Sequence, residues 1–318
     1  MRSKSISLLF IFLVVSACQK PIERDECIQR TYEHEYGLPV EEGLWEGCGK
    51  NGKVNSTLRN GVTVSQNYQN GLLEGESTFT YPHNSQIERV ETYSGNALKS
   101  QVFYSCAGNP VRSISYTFPN TRVITDWYEH GNPRSIETYD GNLLVSGEYY
   151  SLQNQCEGKI YNGIGERCQR NELGDFVSQD YFQGGKLCQV STFYSNGSPK
   201  EISSIKNDVF HGERKTYYDG GEPMAIENWE SGSQSGVTIV FQNGEKYAEV
   251  PYKGNVKHGV EKRFRDGCIL TDEITWMNDL RHGPCTTFHV DTTDTDWYYK
   301  GRLGTKANFE SFALPRNY

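Results

Sequence analysis

Apolar side chains fall along this chain in short alternating runs separated by turn residues. In the stretch 236–252, Val237, Ile239 and Phe241 alternate with polar neighbours; after Gln242-Asn243-Gly244-Glu245, the alternation resumes through Ala248, Val250 and Tyr252. A period of two marks a half-buried strand, and Asn-Gly between two such runs marks a tight hairpin, because both residues tolerate positive φ. Asn-Gly recurs at 60–61, 70–71, 162–163 and 196–197. Helical periodicity is visible only at the extreme N-terminus, so the pattern predicts an all-β chain of short strands joined by turns.

The runs return in step. Ile205, Trp229, Tyr252, Trp276 and Tyr299 form a column at intervals of 23 or 24; Gly212, Gly236, Gly259 and Gly283 follow the first four, and Tyr217, Phe241, Phe264 and Phe288 follow the glycines. A register kept over several copies points to a repeat architecture grown by nearest-neighbour stacking. Upstream the column continues more loosely through Trp45, Tyr68, Tyr93, Tyr116, Tyr139, Tyr161 and Tyr181, giving 11 or 12 units of about 23 residues. The second column lapses between Tyr161 and Tyr181. The expected organisation is therefore an N-terminal cap over 18–42, divergent repeats over 43–160, an irregular unit or break over 161–180, regular repeats over 181–312 and a tail over 313–318. Structural positions expected to hold the regular part are Trp229, Gly236, Phe241, Tyr252, Gly259, Phe264, Trp276, Gly283 and Phe288.

Composition agrees with a thin sheet. Hydrophobic residues make up only 36% of the chain, yet aromatics reach 13%, with 21 Tyr and 32 Gly. Rings at selected positions carry the apolar surface, and a thick aliphatic core is not available.

The first residues have a separate logic. Arg2 and Lys4 precede the apolar run Ile6 to Val15, followed by Val15-Ser16-Ala17-Cys18. The run is too short to span a bilayer and has the flanks of a cleaved export signal, here 1–17. Its end resembles the lipobox of bacterial lipoproteins. That resemblance implies that Cys18 becomes the acylated first residue, with palmitate-class chains holding the protein on the membrane. Gln19, standing where aspartate would favour inner-membrane retention in enterobacterial lipoproteins, points to the outer membrane. Residues 18–42 then read as a lipidated tether and cap.

The repeat resembles the bacterial variant of the MORN family. The match is carried by Tyr68-Gln69-Asn70-Gly71-Leu72-Leu73-Glu74-Gly75, by Ile205 through His211, Gly212, Tyr217 and Tyr218, and by Trp229-Glu230-Ser231-Gly232-Ser233-Gln234-Ser235-Gly236. It is good over 181–301, fair over 61–160 and absent before 43. The resemblance implies an extended antiparallel sheet of successive hairpins used as a scaffold or binding surface, with no established catalytic residues. Some bacterial members carry an antitoxin label by association.

Candidate chemistry adds little to this. Net charge is −8, and −10 once Arg2 and Lys4 are removed. An acidic body disfavours nucleic acid as a partner, although a local basic patch is compatible with it. Eight cysteines other than Cys18 suit an exported chain, and Cys27 with Cys48, Cys156 with Cys168 and Cys268 with Cys285 are the nearest candidate disulfides. His211, His258 and His282 precede unit glycines; units about 10 Å apart cannot bring them onto one ion, so they read as repeated turn residues and no metal is expected. Asp291 to Asp296 lacks the glycine and closing glutamate of a calcium loop. No nucleophile elbow, zinc-protease motif or phosphate loop occurs, and no cofactor is expected.

Function is thus expected to be that of a non-enzymatic, lipid-anchored scaffold for an unknown protein partner in the cell envelope. The alternative is a glycan or peptidoglycan module using outward Tyr and Trp. An antitoxin-like or immunity role, and an enzyme centred on 156–175, rank behind both.

Overall fold

The computed structural model describes residues 27–47 and 49–313. The signal segment 1–17, Cys18, Cys48 and the tail from 314 lie outside the described residues. Within them are 27 strands and two helices, every strand pairing being antiparallel. The fold is the all-β array of hairpins that the alternation predicts.

Two compact units divide the chain at Phe118/Pro119. In the first, Cys27–His34 pairs with Gly52–Leu58, and Thr63–Gln69, Leu72–Thr80, Ile87–Ser94, Ala97–Tyr104 and Pro110–Thr117 follow, each paired with its predecessor. In the second, the same sequential pairing runs from Thr121–Trp127 to Thr293–Tyr299 and the short Arg302–Gly304. Within 161–180, where an irregular unit or a break was expected, Ile164–Arg170 pairs with Phe176–Gln183 through a register shift between Gln169 and Arg170, so the ladder is irregular there but continuous.

Both chain-terminal regions close with helices, which the sequence pattern missed. Trp45, expected to begin the aromatic column, sits in the helix Glu42–Gly47, is 5% exposed, and packs its ring 5.5 Å from Tyr32 and 6.3 Å from Tyr68. The expected cap thereby contributes a strand of the ladder itself, Cys27–His34. Repeats were expected through 312, but Lys306–Ala313 is helical; its Phe309 ring lies 5.3 Å from Trp297 and 5.2 Å from His282. Helices of six and eight residues show no usable period, because two turns of helix hold too few apolar positions to register one.

Alternate turns lie on opposite edges of each ladder. One edge carries two-residue turns, including Asn70-Gly71, Asn162-Gly163, Asn207-Asp208, Ser231-Gly232 and Asn278-Asp279, with positive φ throughout. The other carries mostly wider turns such as Ser105–Asn109, Tyr128–Asn132, Tyr194–Ser198 and Tyr218–Glu222. Successive tight turns are stitched together, Gly185 N–H donating to Gly163 O at 2.9 Å and Gly232 N–H to Phe210 O at 2.9 Å. On the wide edge the stitches are tyrosines one unit apart: Tyr81 OH donates to Tyr104 O at 2.6 Å, Tyr128 OH to Tyr150 O at 2.8 Å, and Tyr194 OH to Tyr217 O at 2.8 Å. These contacts repeat because each unit offers the same donor to the same carbonyl of the next.

The glycine column has a comparable explanation. Across the strands Gly212 faces Trp229, Gly236 faces Tyr252, and Gly259 faces Trp276, while on the other side a Cβ at each would crowd the preceding strand, at Ser204, Asn228 and Pro251. At Gly259, φ is +116° and a Cβ would lie 3.2 Å from Pro251 Cγ; at Gly283, φ is +111° and a Cβ would lie 3.3 Å from Thr275 Cγ2. Both demands, left-handed backbone and close approach, exclude larger residues. The second column packs differently: Lys246 Nζ sits 4.0 Å over the Phe264 ring, and Phe241, Phe264 and Phe288 stand at the wide-turn ends of their strands.

Candidate interaction surface

One face of the second unit is the more buried, and its strands place there both the rings and a row of charges. Arg214, directly opposite Glu227, donates from Nε and Nη2 to Glu201 at 3.0 and 2.8 Å and from Nη1 to Glu227 at 2.8 Å. Trp229 Nε1 also donates to Glu227, at 2.8 Å. Burial opposes ionisation of Glu201, but the Arg214 fork outweighs it and holds the carboxyl below its usual range. Three strands further, Glu261 is 2% exposed and is held by Lys257 Nζ at 2.8 Å and Arg263 Nε at 2.9 Å, again with a lowered pKa despite burial.

Around residues 137–182 the same face forms a true core. Leu144, Tyr149, Ile160, Cys168 and Phe182 cluster, with Tyr139, Phe176 and Leu187 against them. Arg167 donates to Asp180 Oδ2 at 3.0 and 2.7 Å and lies 3.8 Å from Glu137, which accepts from Tyr139 and Tyr149 hydroxyls at 2.8 Å each. Asp180 is 3% exposed, and here burial prevails over Arg167: its pKa is raised. Burial beside Glu137 likewise raises Tyr139 and Tyr149.

The column positions need correction here. Tyr161 is 71% exposed and Tyr181 40%, while Ile160 (1%) and Phe182 (6%) occupy the buried places, the latter opposite Gly165. Tyr298, not Tyr299, faces Gly283. The signal was available: Tyr139, Ile160, Phe182 and Ile205 are 21, 22 and 23 apart, a smoother series than the 22, 20 and 24 obtained through the tyrosines. Preferring rings to aliphatics obscured it. The buried Arg167–Asp180 pair left no motif in the sequence.

The cysteines described are free thiols. Cys156 donates to Gly158 O at 3.5 Å and Cys168 to Glu157 O at 3.4 Å, and no disulfide joins them. Cys285 pairs with Ile274, six residues along the strand direction from Cys268. That is roughly 20 Å at about 3.3 Å per residue, far beyond the ~7 Å a disulfide can bridge. Cys27 hydrogen-bonds Gln29 O. Each unit histidine reaches the next tight turn: His211 accepts from Ser231 N–H at 3.4 Å, His282 from Lys300 N–H at 3.2 Å, and His258 lies 3.3 Å from Asn278 Oδ1. Among the described residues no cluster of three potential metal ligands occurs, and no helix is long and apolar enough to cross a membrane. In the acidic run, Asp294 pairs with His289 at 3.1 Å and Asp296 faces Cys285.

The opposite face carries a continuous cross-strand row: Ile202, Lys215, Ile226, Ile239, Glu249, Lys262, Glu273, Thr286 and Thr295, each directly opposite the next. It runs from a largely aliphatic part, Ile202 to Ile239 with Lys215, through the charged Glu249, Lys262 and Glu273 to the hydroxyls of Thr286 and Thr295. The fork of Arg214 and the pairs at Glu261 belong to the other face, so the row is not needed for those contacts.

No family model and no curated protein sequence matches the chain. Among solved structures it is similar to a chain of the TcdB2-TccC3-Cdc42 crystal structure, at 9% identity and a TM-score of 0.21 over 88% of this chain and 20% of that one. It is also similar to a porin-like protein from Bacteroides uniformis, at 10% identity and 0.17 over 76% of this chain and 89% of that one. The chain thus spans about a fifth of the first of these. Scores this low carry no argument about function.

Proposed function

We propose that the chain is a non-enzymatic interaction scaffold of the bacterial cell envelope, held to the outer membrane by acyl chains on Cys18, with a MORN-like repeat as its building unit. The observation that supports this most is the row from Ile202 to Thr295, which offers a mixed polar and apolar surface strand after strand. Such a row suits an extended protein partner, whose affinity accumulates from modest contacts repeated along its length. The test places a photoreactive residue at Ile239, Lys262 or Glu273 in the full-length lipoprotein within living cells. One shared crosslinked partner from all three positions is expected, with Cys18→Ala as the mislocalised control. Absence of a common adduct would reject the scaffold; a Cys18→Ala chain that is processed and membrane-bound like the parent would reject the anchor.

A second reading, glycan binding, is favoured by Tyr161 and Tyr181, whose rings stand exposed because Ile160 and Phe182 take the buried places. Tyr161→Ala with Tyr181→Ala should then abolish cosedimentation with peptidoglycan and leave the protein crosslinks intact.

A further inference from the structure

Two residues beyond Thr295, the end of the exposed row, stands Trp297, and two beyond that Tyr299; alternation along the strand Thr293–Tyr299 puts both rings on the same face as the row. The helix Lys306–Ala313 packs against these rings. Thr305 caps it, its Oγ1 accepting the Asn308 N–H at 3.2 Å and its carbonyl the Phe309 N–H at 3.0 Å. Phe309 and Phe312, three residues apart, share a side of the helix and meet the strand rings. Phe309 lies 5.3 Å from Trp297 and 6.4 Å from Tyr299, and Phe312 lies 5.3 Å from Tyr299, at interplanar angles of 46°, 68° and 35°. Rings tilted in this way leave a space between helix and hairpin.

That space is a cavity of about 390 Å³. Its size falls within the ~300–1,000 Å³ typical of small-molecule sites, which are likewise walled by rings with a few polar groups among them. The mouth is apolar, with Leu303 64% and Phe312 61% exposed. Besides the rings, the wall holds Arg302, Thr305 and Asn308, and no acid. Thr305 is occupied as the helix cap. The Arg302 guanidinium and the Asn308 carboxamide have no partner among the described residues, and Glu310, the acid of the same helix, is turned to Lys306 at 3.9 Å. One free cation and one free amide thus face an aromatic chamber.

We propose that this cavity binds a small aromatic carboxylate, its ring standing among Trp297, Phe309 and Phe312 and its carboxylate taken by the fork of Arg302, with Asn308 as a further donor. Charge and shape exclude the neighbouring classes of ligand. A quaternary ammonium, the usual guest of an aromatic cage, would meet Arg302 with no carboxylate to offset it. A sugar would bring a rim of hydroxyls to a wall with two free polar side chains, and the hydroxyls left over would lose water without gaining a partner. A phosphate would set up to two negative charges against a single cation. A carboxylate is planar and singly charged, and its two oxygens match one guanidinium. The chamber shares no residue with the row from Ile202 to Thr295, with Tyr161 and Tyr181, or with Cys18, so its ligand is independent of the partner taken by the row.

The test is isothermal titration calorimetry of the full-length Cys18→Ala chain with indole-3-acetate as probe and indole-3-acetamide as its neutral isostere. The acid should bind at one site per chain with a Kd below about a millimolar, as suits a ligand of this size. The amide should bind about tenfold more weakly, because it forfeits the charged hydrogen bonds. Arg302→Gln should weaken the acid by about the same tenfold and leave the amide unchanged, whereas Phe312→Ala should weaken both by a similar factor. Both side chains are exposed, and far-ultraviolet circular dichroism of each variant separates a lost site from a lost fold. In methyl NMR spectra the Leu303 signals should shift on adding the acid. No heat with indole-3-acetate, equal affinity for acid and amide, or binding that survives both substitutions would overturn the proposal. So would shifts elsewhere in the chain with the Leu303 methyls unmoved. None of these outcomes bears on the crosslinking test of the scaffold face.

Discussion

The stretch 137–182 and the stretch 199–288 belong to one ladder and are stabilised differently. In the first, intervals shorten, and Leu144, Tyr149, Ile160, Cys168 and Phe182 converge into a cluster over the buried Arg167–Asp180 pair. In the second, the interval is strict; charges and rings form half-buried contacts between neighbouring strands, of which Arg214 with Glu201 and Glu227 is typical. A strict period gives every unit the same neighbours and hence a uniform, modest stability. Convergence requires the period to slip, because side chains in perfect register lie side by side and do not point toward a common centre.

The largest contrast should come from truncating the two arginines. Arg167→Ala leaves Asp180 and Glu137 buried without their cation and should cost about 3–5 kcal/mol, as breaking a buried pair does. Arg214→Ala, whose partners keep contact with solvent, should cost about 1–2 kcal/mol. Urea midpoints read by tryptophan fluorescence and by far-ultraviolet circular dichroism check this; equal losses would erase the distinction between the regions. Phe182→Ala comes next, at about 3 kcal/mol, against less than 1 kcal/mol for Tyr181→Ala on the exposed side of the same strand. A reversal would restore the tyrosine column.

Gly283→Ala should cost about 2 kcal/mol, from left-handed strain and crowding against Thr275, with amide exchange accelerated in the two adjoining strands and unchanged at 137–182. The smallest effect concerns pH. Asp180 binds its proton more tightly in the folded chain, so the core around it gains stability as pH falls from the folded pKa toward the ordinary aspartate value. Glu201 and Glu261 have lowered values; the stability they contribute is present above the ordinary glutamate range and lost as pH falls through their folded pKa values. Carboxyl carbon NMR titration should place Asp180 above and Glu201 and Glu261 below their usual ranges.

Much of this architecture was legible from residue order. Trp229, Gly236, Tyr252, Gly259, Trp276 and Gly283 lie where a repeat demands, since pairing, turn conformation and the left-handed backbone at the glycines are local and recur at fixed separation. What escaped was non-repeating. Trp45 belongs to a six-residue helix and Phe309 to an eight-residue one, both too short to show a period, and Arg167 meets Asp180 only because two strands are in register. Cys156, Cys168, Cys268 and Cys285 stand as free thiols, since proximity in sequence does not fix which residues oppose one another; the pair of Cys27 with Cys48 lies outside the described residues.

Order along the chain determined that there would be hairpins, where they would turn and which glycines could not be replaced, because those properties depend on backbone conformation over a few residues. The tertiary structure alone decided which ring of adjacent pairs went inward, that the division falls at Phe118/Pro119, and that Arg167 and Asp180 are buried against each other. Burial and charge pairing are sums over neighbouring strands, and a linear sequence does not perform that sum until register and twist have set which side chains stand together.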